Sequence, residues 1–171
     1  DSQSFIYIGG INKEAVSISV QAKNDIKNLD DFVKAAKAND GKMTVGVPAI
    51  GGVHSIGVTK LAAAMDFKVN KIPLGGGGPT RNALLGGHID SAALSVSAAA
   101  KKAKSLTILV LMGDERSAIA PNVPTTKELG IDVTNYVTRT FAAPKGTPPD
   151  VLSTLRAAFE KAIKDPAFLA D

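Results

Sequence analysis

The chain has 171 residues, of which 44% are hydrophobic and 21% charged, and carries a formal net charge of +4. With no cysteine, disulfides, thiolate metal sites and a cysteine nucleophile are excluded, and the two histidines, His54 and His88, do not have zinc-site spacing. Scarce aromatics and the absence of tryptophan argue against base-stacking nucleic-acid surfaces, and no apolar run approaches the roughly 18 residues that a membrane-spanning helix needs.

Asp1 to Lys13 is polar and punctuated by glycine, and no element is assigned to it. Val16, Ile18 and Val20 alternate with Ser17, Ser19 and Gln21, the pattern of a half-buried strand. Asn28 suits a helix N-cap, and Asp30 and Asp31 follow in the first turn, where negative charge favours the dipole. Leu29, Phe32, Val33 and Ala36 keep helical spacing up to a stop at Gly41. Lys42 to Val47 reads as a strand, Pro48 to His54 as a glycine loop, and Ser55 to Met65 as a helix.

The next stretch, Asn70 to Asp90, organises the chain. A strand over Val69 to Pro73 breaks into Gly75, Gly76, Gly77 and Gly78. Pro79 then opens a helix carrying Ala83, Leu84 and Leu85, and Gly86-Gly87 stops it. Glycines ahead of a helix N-terminus let backbone N–H groups approach an anion, although a plain turn that needs positive φ also selects glycine. The stretch lacks the Gly-Lys-Ser/Thr of a Walker loop and the spacing of a dinucleotide fingerprint.

Ile89 to Leu94 reads as a short strand and Ser97 to Lys104 as a small helix. Lys101, Lys102 and Lys104 form the tight basic cluster of the chain, as on a solvated helix face. Leu106 to Met112 is a continuous apolar run, as in a strand buried on both faces of a parallel sheet. Asp114 to Pro124 reads as a crossing segment. Thr125 and Glu128 have capping-box spacing for a short helix closed by Gly130. Val133 to Ala142 reads as a long strand. After a turn at Pro144 to Gly146, Thr147 caps a helix with Val151, Leu152, Leu155, Phe159 and Ile163 on one face. Alternating strands and helices predict an α/β fold with a mainly parallel sheet flanked by helices.

Both glycine loops follow strands and precede helices, so in an open α/β sheet they gather at the carboxyl ends of the strands, where ligands bind. His54 stands at the start of one helix as a ligand contact or as a side chain bonded to backbone. His88 reads as part of a surface turn. Ser95 and Ser97 offer hydroxyls to an anion or serve as helix caps. Arg139, inside an apolar strand, either meets an anion or faces water at an edge. No nucleophile–base pair, metal cluster or paired-carboxylate constellation is identified, so no catalytic or metal-binding residue and no cofactor are expected.

Several blocks resemble a known family in order and spacing. IPLGGGGPTRNALLGGHID resembles the VP(Y/F)-x-GGG-x-A-x-x-ALLGG-x-x-D signature of the substrate-binding proteins of tripartite tricarboxylate transporters, the TctC/Bug family. LTILVLMGDERSAIAPNVPTTKELGIDV, TRTFAAPKGTPPDVLSTLRAAFEKAIKDPAF and DDFVKAAKANDGKMTVGVPAIGGVHSIGVTKLA resemble further blocks of that family, so the resemblance covers nearly the whole chain. It implies a type II periplasmic-binding-protein-like fold and a receptor outside the cytoplasm. Such a receptor binds a small carboxylate between two lobes and delivers it to membrane permease subunits, without catalysis. The ligand is expected to be a di- or tricarboxylate or an amino acid, and neither nucleic acid nor membrane insertion is implied. Carried over, the ligand contacts are Ala49, Ile50, Gly51, Gly52 and His54, then Gly75 to Gly78, Ser95 and Arg139.

The chain departs from the family pattern at several points. It has one residue fewer between Gly51 and His54. Thr140 and Lys104 stand where the family has glycine, and Leu94-Ser95 stands where many members have a more polar pair. The family's first strand, first ligand loop and early helices have no counterpart here. A partial chain is therefore expected: a middle lobe over residues 14–112, an inter-lobe crossing over 113–124 and part of the other lobe over 125–171. Rival readings are the ligand-sensing effector domain of a transcriptional regulator, for which no DNA-reading helix pair is seen, and an enzyme acting on a small anionic substrate.

Overall fold

In the computed structural model, which describes residues 4–169, the chain forms β1 (Phe5–Gln21), α1 (Leu29–Ala38), β2 (Thr44–Val47), α2 (Val53–Ala64), β3 (Asn70–Pro73) and α3 (Gly77–Leu85). There follow β4 (Ser91–Ser95), α4 (Val96–Ala100), β5 (Leu106–Met112), β6 (Tyr136–Pro144), α5 (Pro149–Ala162) and α6 (Pro166–Leu169). Residues 1–3 of the expected lead-in and 170–171 of the expected second lobe lie outside the described residues. The chain divides into two compact units, unit 1 with residues 1–13 and 138–171 and unit 2 with residues 14–137.

Unit 2 is built on a sheet of order β3-β2-β4-β1-β5. β2 pairs in parallel with both β3 and β4. β1 runs antiparallel to β4 and β5, so it alone is reversed among five strands. One face packs Val16, Ile18, Val20, Val45, Val47 and Ala93 against Leu29, Phe32 and Val33 of α1 and Val58 and Leu61 of α2. The other face packs Ala92 and Leu94 against Leu84 of α3 and Ala99 of α4. Neighbouring residues of β4 thus serve opposite layers, as strand geometry requires. Phe32 and Phe67 meet edge to face at 5.7 Å and 90°. α1 starts as its sequence predicts, with the Asp31 N–H donating to Asn28 Oδ1 at 2.9 Å.

Several elements differ from the sequence expectation. The strand predicted around Val16 begins at Phe5 and takes in most of the unassigned lead-in. It is not half-buried within unit 2. Ser17 and Ser19 are fully buried, because helices cover both faces of the sheet around this central strand, and the Ser17 hydroxyl is satisfied by the Leu94 carbonyl at 3.0 Å. Thr125 and Glu128 do exchange the two hydrogen bonds of a capping box, 3.1 and 3.0 Å, but around a turn rather than a helix. α3 starts at Gly77, two residues before Pro79, whose missing N–H still falls within the first turn. Residues 113–137, expected to cross to and help build another lobe, pack within unit 2. The backbone explains why, since Leu111 N–H donates to Pro124 O, Thr126 N–H to Leu111 O and Asn135 N–H to Met112 O, at 3.0, 2.8 and 2.8 Å.

Unit 1 joins the start of β1 to β6, α5 and α6. Phe159 lies across Gly9, where any Cβ would collide with its ring at 2.1 Å, and it meets Phe141 at 5.5 Å. No residue of α5 is fully buried. An apolar groove of about 360 Å³ remains open, lined by Ile8, Phe141, Leu155, Phe159, Ile163 and Phe168. A two-stranded ribbon with one longer helix, α5, and the single turn of α6 buries little apolar surface and is marginal by itself. In native-state hydrogen exchange, amides of Phe5–Ile11 should therefore exchange about 100-fold or more faster than those of Val16–Val20. Equal protection would contradict this division of stability.

The Glu128 carboxyl is held below the usual glutamate range, first by the Thr125 N–H and then by the Arg116 guanidinium at 2.9 Å. Its folded pKa lies below the unfolded one. The contribution is therefore present above the unfolded glutamate value and lost as pH falls through the folded one. The stability gap between the native chain and Glu128→Gln should close on acidification, as read by denaturant unfolding at a series of pH values.

Candidate ligand-binding site

Because β3, β2 and β4 are parallel neighbours, Pro73, Val47 and Ser95 all end at one edge of the unit 2 sheet. Val16 pairs with both Ser95 and Met112, which brings the start of β1 within unit 2 and the end of β5 to that same edge. The segments Pro48–Gly52, Leu74–Gly76 and Ser95–Ser97 therefore gather there, as the sequence order of strands and loops predicts.

The helices that leave this edge are unusual at their starts. α2 has Gly52 at its N-cap and α3 has Gly76. Neither makes a side-chain cap, and neither carries an acid in its first turn. α1, in the same unit, has both devices. The helical ladders open with Ile56 N–H donating to Gly52 O and Thr80 N–H to Gly76 O, at 3.0 and 3.1 Å. The amides ahead of them, at Val53 and Ser55 and at Gly77 and Gly78, belong to the set that a helix cannot satisfy internally. Partial positive charge accumulates at both starts.

The four glycines of the second loop differ in what they do. Gly75 at φ +77 and Gly76 at φ +154 occupy backbone conformations that need glycine. Gly77 and Gly78 have no positive φ, and a Cβ on either would meet nothing within 4 Å. Inside a helix, glycine costs about 1 kcal/mol against alanine. Neither packing nor conformation offsets that here, and the effect is a bare backbone opening onto the helix start.

The surrounding residues hold these loops in place. Leu74 N–H donates to Val47 O at 3.0 Å, linking the two loops at their roots. The buried Thr80 hydroxyl donates to Gly76 O at 2.7 Å. Asn135 Nδ2 donates to the Val53 carbonyl at 2.7 Å, and its side chain lies so close to Gly57 that a Cβ there would come within 2.6 Å. Ser97 N–H donates to Glu14 Oε2 at 3.0 Å, so the start of α4 is held by β1 rather than by its own N-cap Ser95. Sequence reasoning misses Thr80, Asn135 and Glu14. A glycine at 57 inside a helical pattern is the available sign of a close approach.

His54 lies in the first turn of α2 and is partly buried, and Ala49, Ile50 and Gly51 in the loop before it are exposed. Ser95 is 6% exposed at the end of β4. His88 is exposed in the turn after α3. Arg139 belongs to unit 1. It is exposed rather than buried in its strand, and its Nη1 donates to Asn12 Oδ1 at 3.2 Å. Asp90, the last residue of the glycine stretch, ties the start of β2 to that of β4, its carboxylate accepting from the Thr44 N–H and hydroxyl at 2.8 and 2.7 Å. Beyond the end of β5, burial pushes the Tyr136 phenol up, so it stays neutral and donates to Asp114 Oδ2 at 2.9 Å. Among the described residues, no group of three His, Cys, Asp or Glu is placed to hold a metal, and no helix is long and apolar enough to cross a membrane. What the edge offers is a set of neutral, preoriented N–H donors, suited to holding an anionic group.

Residues 1–170 match the family model of the tripartite tricarboxylate transporter family receptor, TctC. A curated protein of Cupriavidus necator, the UPF0065 protein in the gbd 5' region, is 34% identical over 163 residues, covering 95% of this chain and 50% of its own length. The crystal structure of a TctC solute binding protein from Polaromonas matches with a TM-score of 0.75 and 30% identity, over 98% of this chain and 58% of that one. MatC from Rhodopseudomonas palustris, solved with bound malate, matches in fold with a TM-score of 0.86 at 22% identity, over 95% of this chain and 56% of that one. The chain thus spans about half the length of the relatives it matches. By the match over residues 1–170 and the 34% identity to a curated relative, this chain belongs to the tripartite tricarboxylate transporter receptor family, the TctC/Bug family.

Proposed function

We propose that the chain is the ligand-binding part of an extracytoplasmic, periplasmic solute receptor. It takes a small carboxylate and hands it to the permease subunits of a tripartite tricarboxylate-type transporter, without chemical turnover. The carrying observation is the pair of uncapped helix starts, α2 and α3, leaving neighbouring parallel strands at one edge of the sheet. A carboxylate there receives N–H groups from Ala49–His54 and Gly75–Gly78, with the Ser95 hydroxyl nearby. Anions at helix N-termini gain from both the free donors and the dipole. The malate held by MatC, a protein of the same fold, supports this ligand chemistry.

The bare backbone at Gly78 supplies a test. Gly78→Asp puts a carboxylate of the chain itself at the second position of α3, where negative charge stabilises the helix. The variant should melt no lower than the native chain, yet bind carboxylates at least tenfold more weakly in titration calorimetry, because its own side chain competes for the donors. Undiminished affinity in a folded Gly78→Asp variant would remove the α3 start from the site.

A further inference from the structure

Apolar side chains crowd the start of α2 in a way that the anion reading does not use. Ile50 is 58% exposed in the loop, Val53 is 40% exposed at the first helical position, and Ile56 is 44% exposed one turn on. Val53 and Ile56, three residues apart, share a helix face, while Val58 and Leu61 turn another face into the core. Single exposed apolar residues are ordinary. Three of them at 50, 53 and 56, around a helix start with open N–H donors, form a surface that is apolar beside a polar tip. Clustered apolar exposure of this kind marks a binding surface, and small-ligand sites combine such walls with a few converging polar groups.

The segments of this edge that lead into helices are equally sparing of charge. Pro48–His54, Leu74–Gly78 and Leu94–Ser97 contain no lysine, arginine, aspartate or glutamate, and His54 is their one titratable side chain. Glu14 brings a carboxylate to this edge from β1, where it is held on the Ser97 N–H. A hydroxy-tricarboxylate brings several polar groups that need partners when desolvated, and this wall has few to give. An acid with a hydrocarbon body needs donors at one end and apolar surface at the other.

Resting on the receptor reading, we propose that the unit 2 site selects a carboxylate carried on an apolar body, an aliphatic or aromatic acid rather than a citrate-like one, with Ile50 and Val53 as the wall that the body covers. The carboxylate sits on the α2 and α3 starts and the hydrocarbon runs along Ile50 and Val53 toward Ile56.

The test is titration calorimetry of the full chain with straight-chain acids from acetate to octanoate, and with citrate. Affinity should rise about fourfold per methylene, the increment expected for covering a CH₂ group, and hexanoate should bind at least tenfold tighter than citrate. The double variant Ile50→Ser, Val53→Ser, altered at exposed side chains, should flatten the series, with a loss of affinity that grows from acetate to octanoate. A flat series in the native chain, or citrate bound tighter than hexanoate, overturns this inference while leaving a carboxylate receptor standing. A steep series that the double variant does not alter overturns the assignment of the wall. No heat with any of these acids overturns both the inference and the receptor reading.

Discussion

Parallel pairing of β2 with both β3 and β4 is the constraint from which the site follows. Parallel neighbours cannot be joined by a tight hairpin. Each connection must return along the sheet, and here α2 and α3 make the return. Two consecutive returns, α2 on one face of the sheet and α3 on the other, bring both helix starts to the same edge. Convergent dipoles and unmet amides at that edge are therefore consequences of topology, before any side chain is considered. The reversed strand β1 completes the edge, since its pairing of Val16 with Ser95 and Met112 brings Glu14 to the start of α4.

Side-chain choice then gives the helices of unit 2 different roles. Asn28, Asp30 and Asp31 neutralise the start of α1 from within. The starts of α2 and α3 are left to glycine, and the supporting contacts act from behind, through Thr80 on Gly76 and Asn135 on Val53. These partners hold the loop carbonyls and leave the amide side open. Preorganised donors of this kind bind without the cost of ordering the loop on arrival of the ligand. Stability is concentrated in unit 2, where two apolar layers sandwich the sheet, and unit 1 has no comparable core among its described residues.

Much of this is legible in the residues. Helical spacing places α1 and α5, alternation places the middle of β1, and the glycine loops mark where strands give way to helices. The family blocks carry the architecture further than periodicity can. What escapes has physical reasons. Gly9 and Gly10 disguise the first half of β1, whose partner β6 lies more than a hundred residues away in sequence. Ser17 and Ser19 look solvent-facing because a buried serine paired to a carbonyl has the same alternating signature as an exposed one. Thr125 and Glu128 form their reciprocal bonds without the helix that such spacing usually starts. Asn135 gives no local signal, since its importance lies in reaching Val53 across 82 positions.

The central claim is that backbone amides at two helix starts hold the ligand's carboxylate. Amide chemical shifts of the isotopically labelled chain, followed while a carboxylic acid is titrated in, test it most directly. The account predicts large, saturable shifts at Val53, Ser55, Gly77 and Gly78, with little change at Asp31 in the self-capped first turn of α1. Saturable shifts that spare α2 and α3 and fall elsewhere would contradict it.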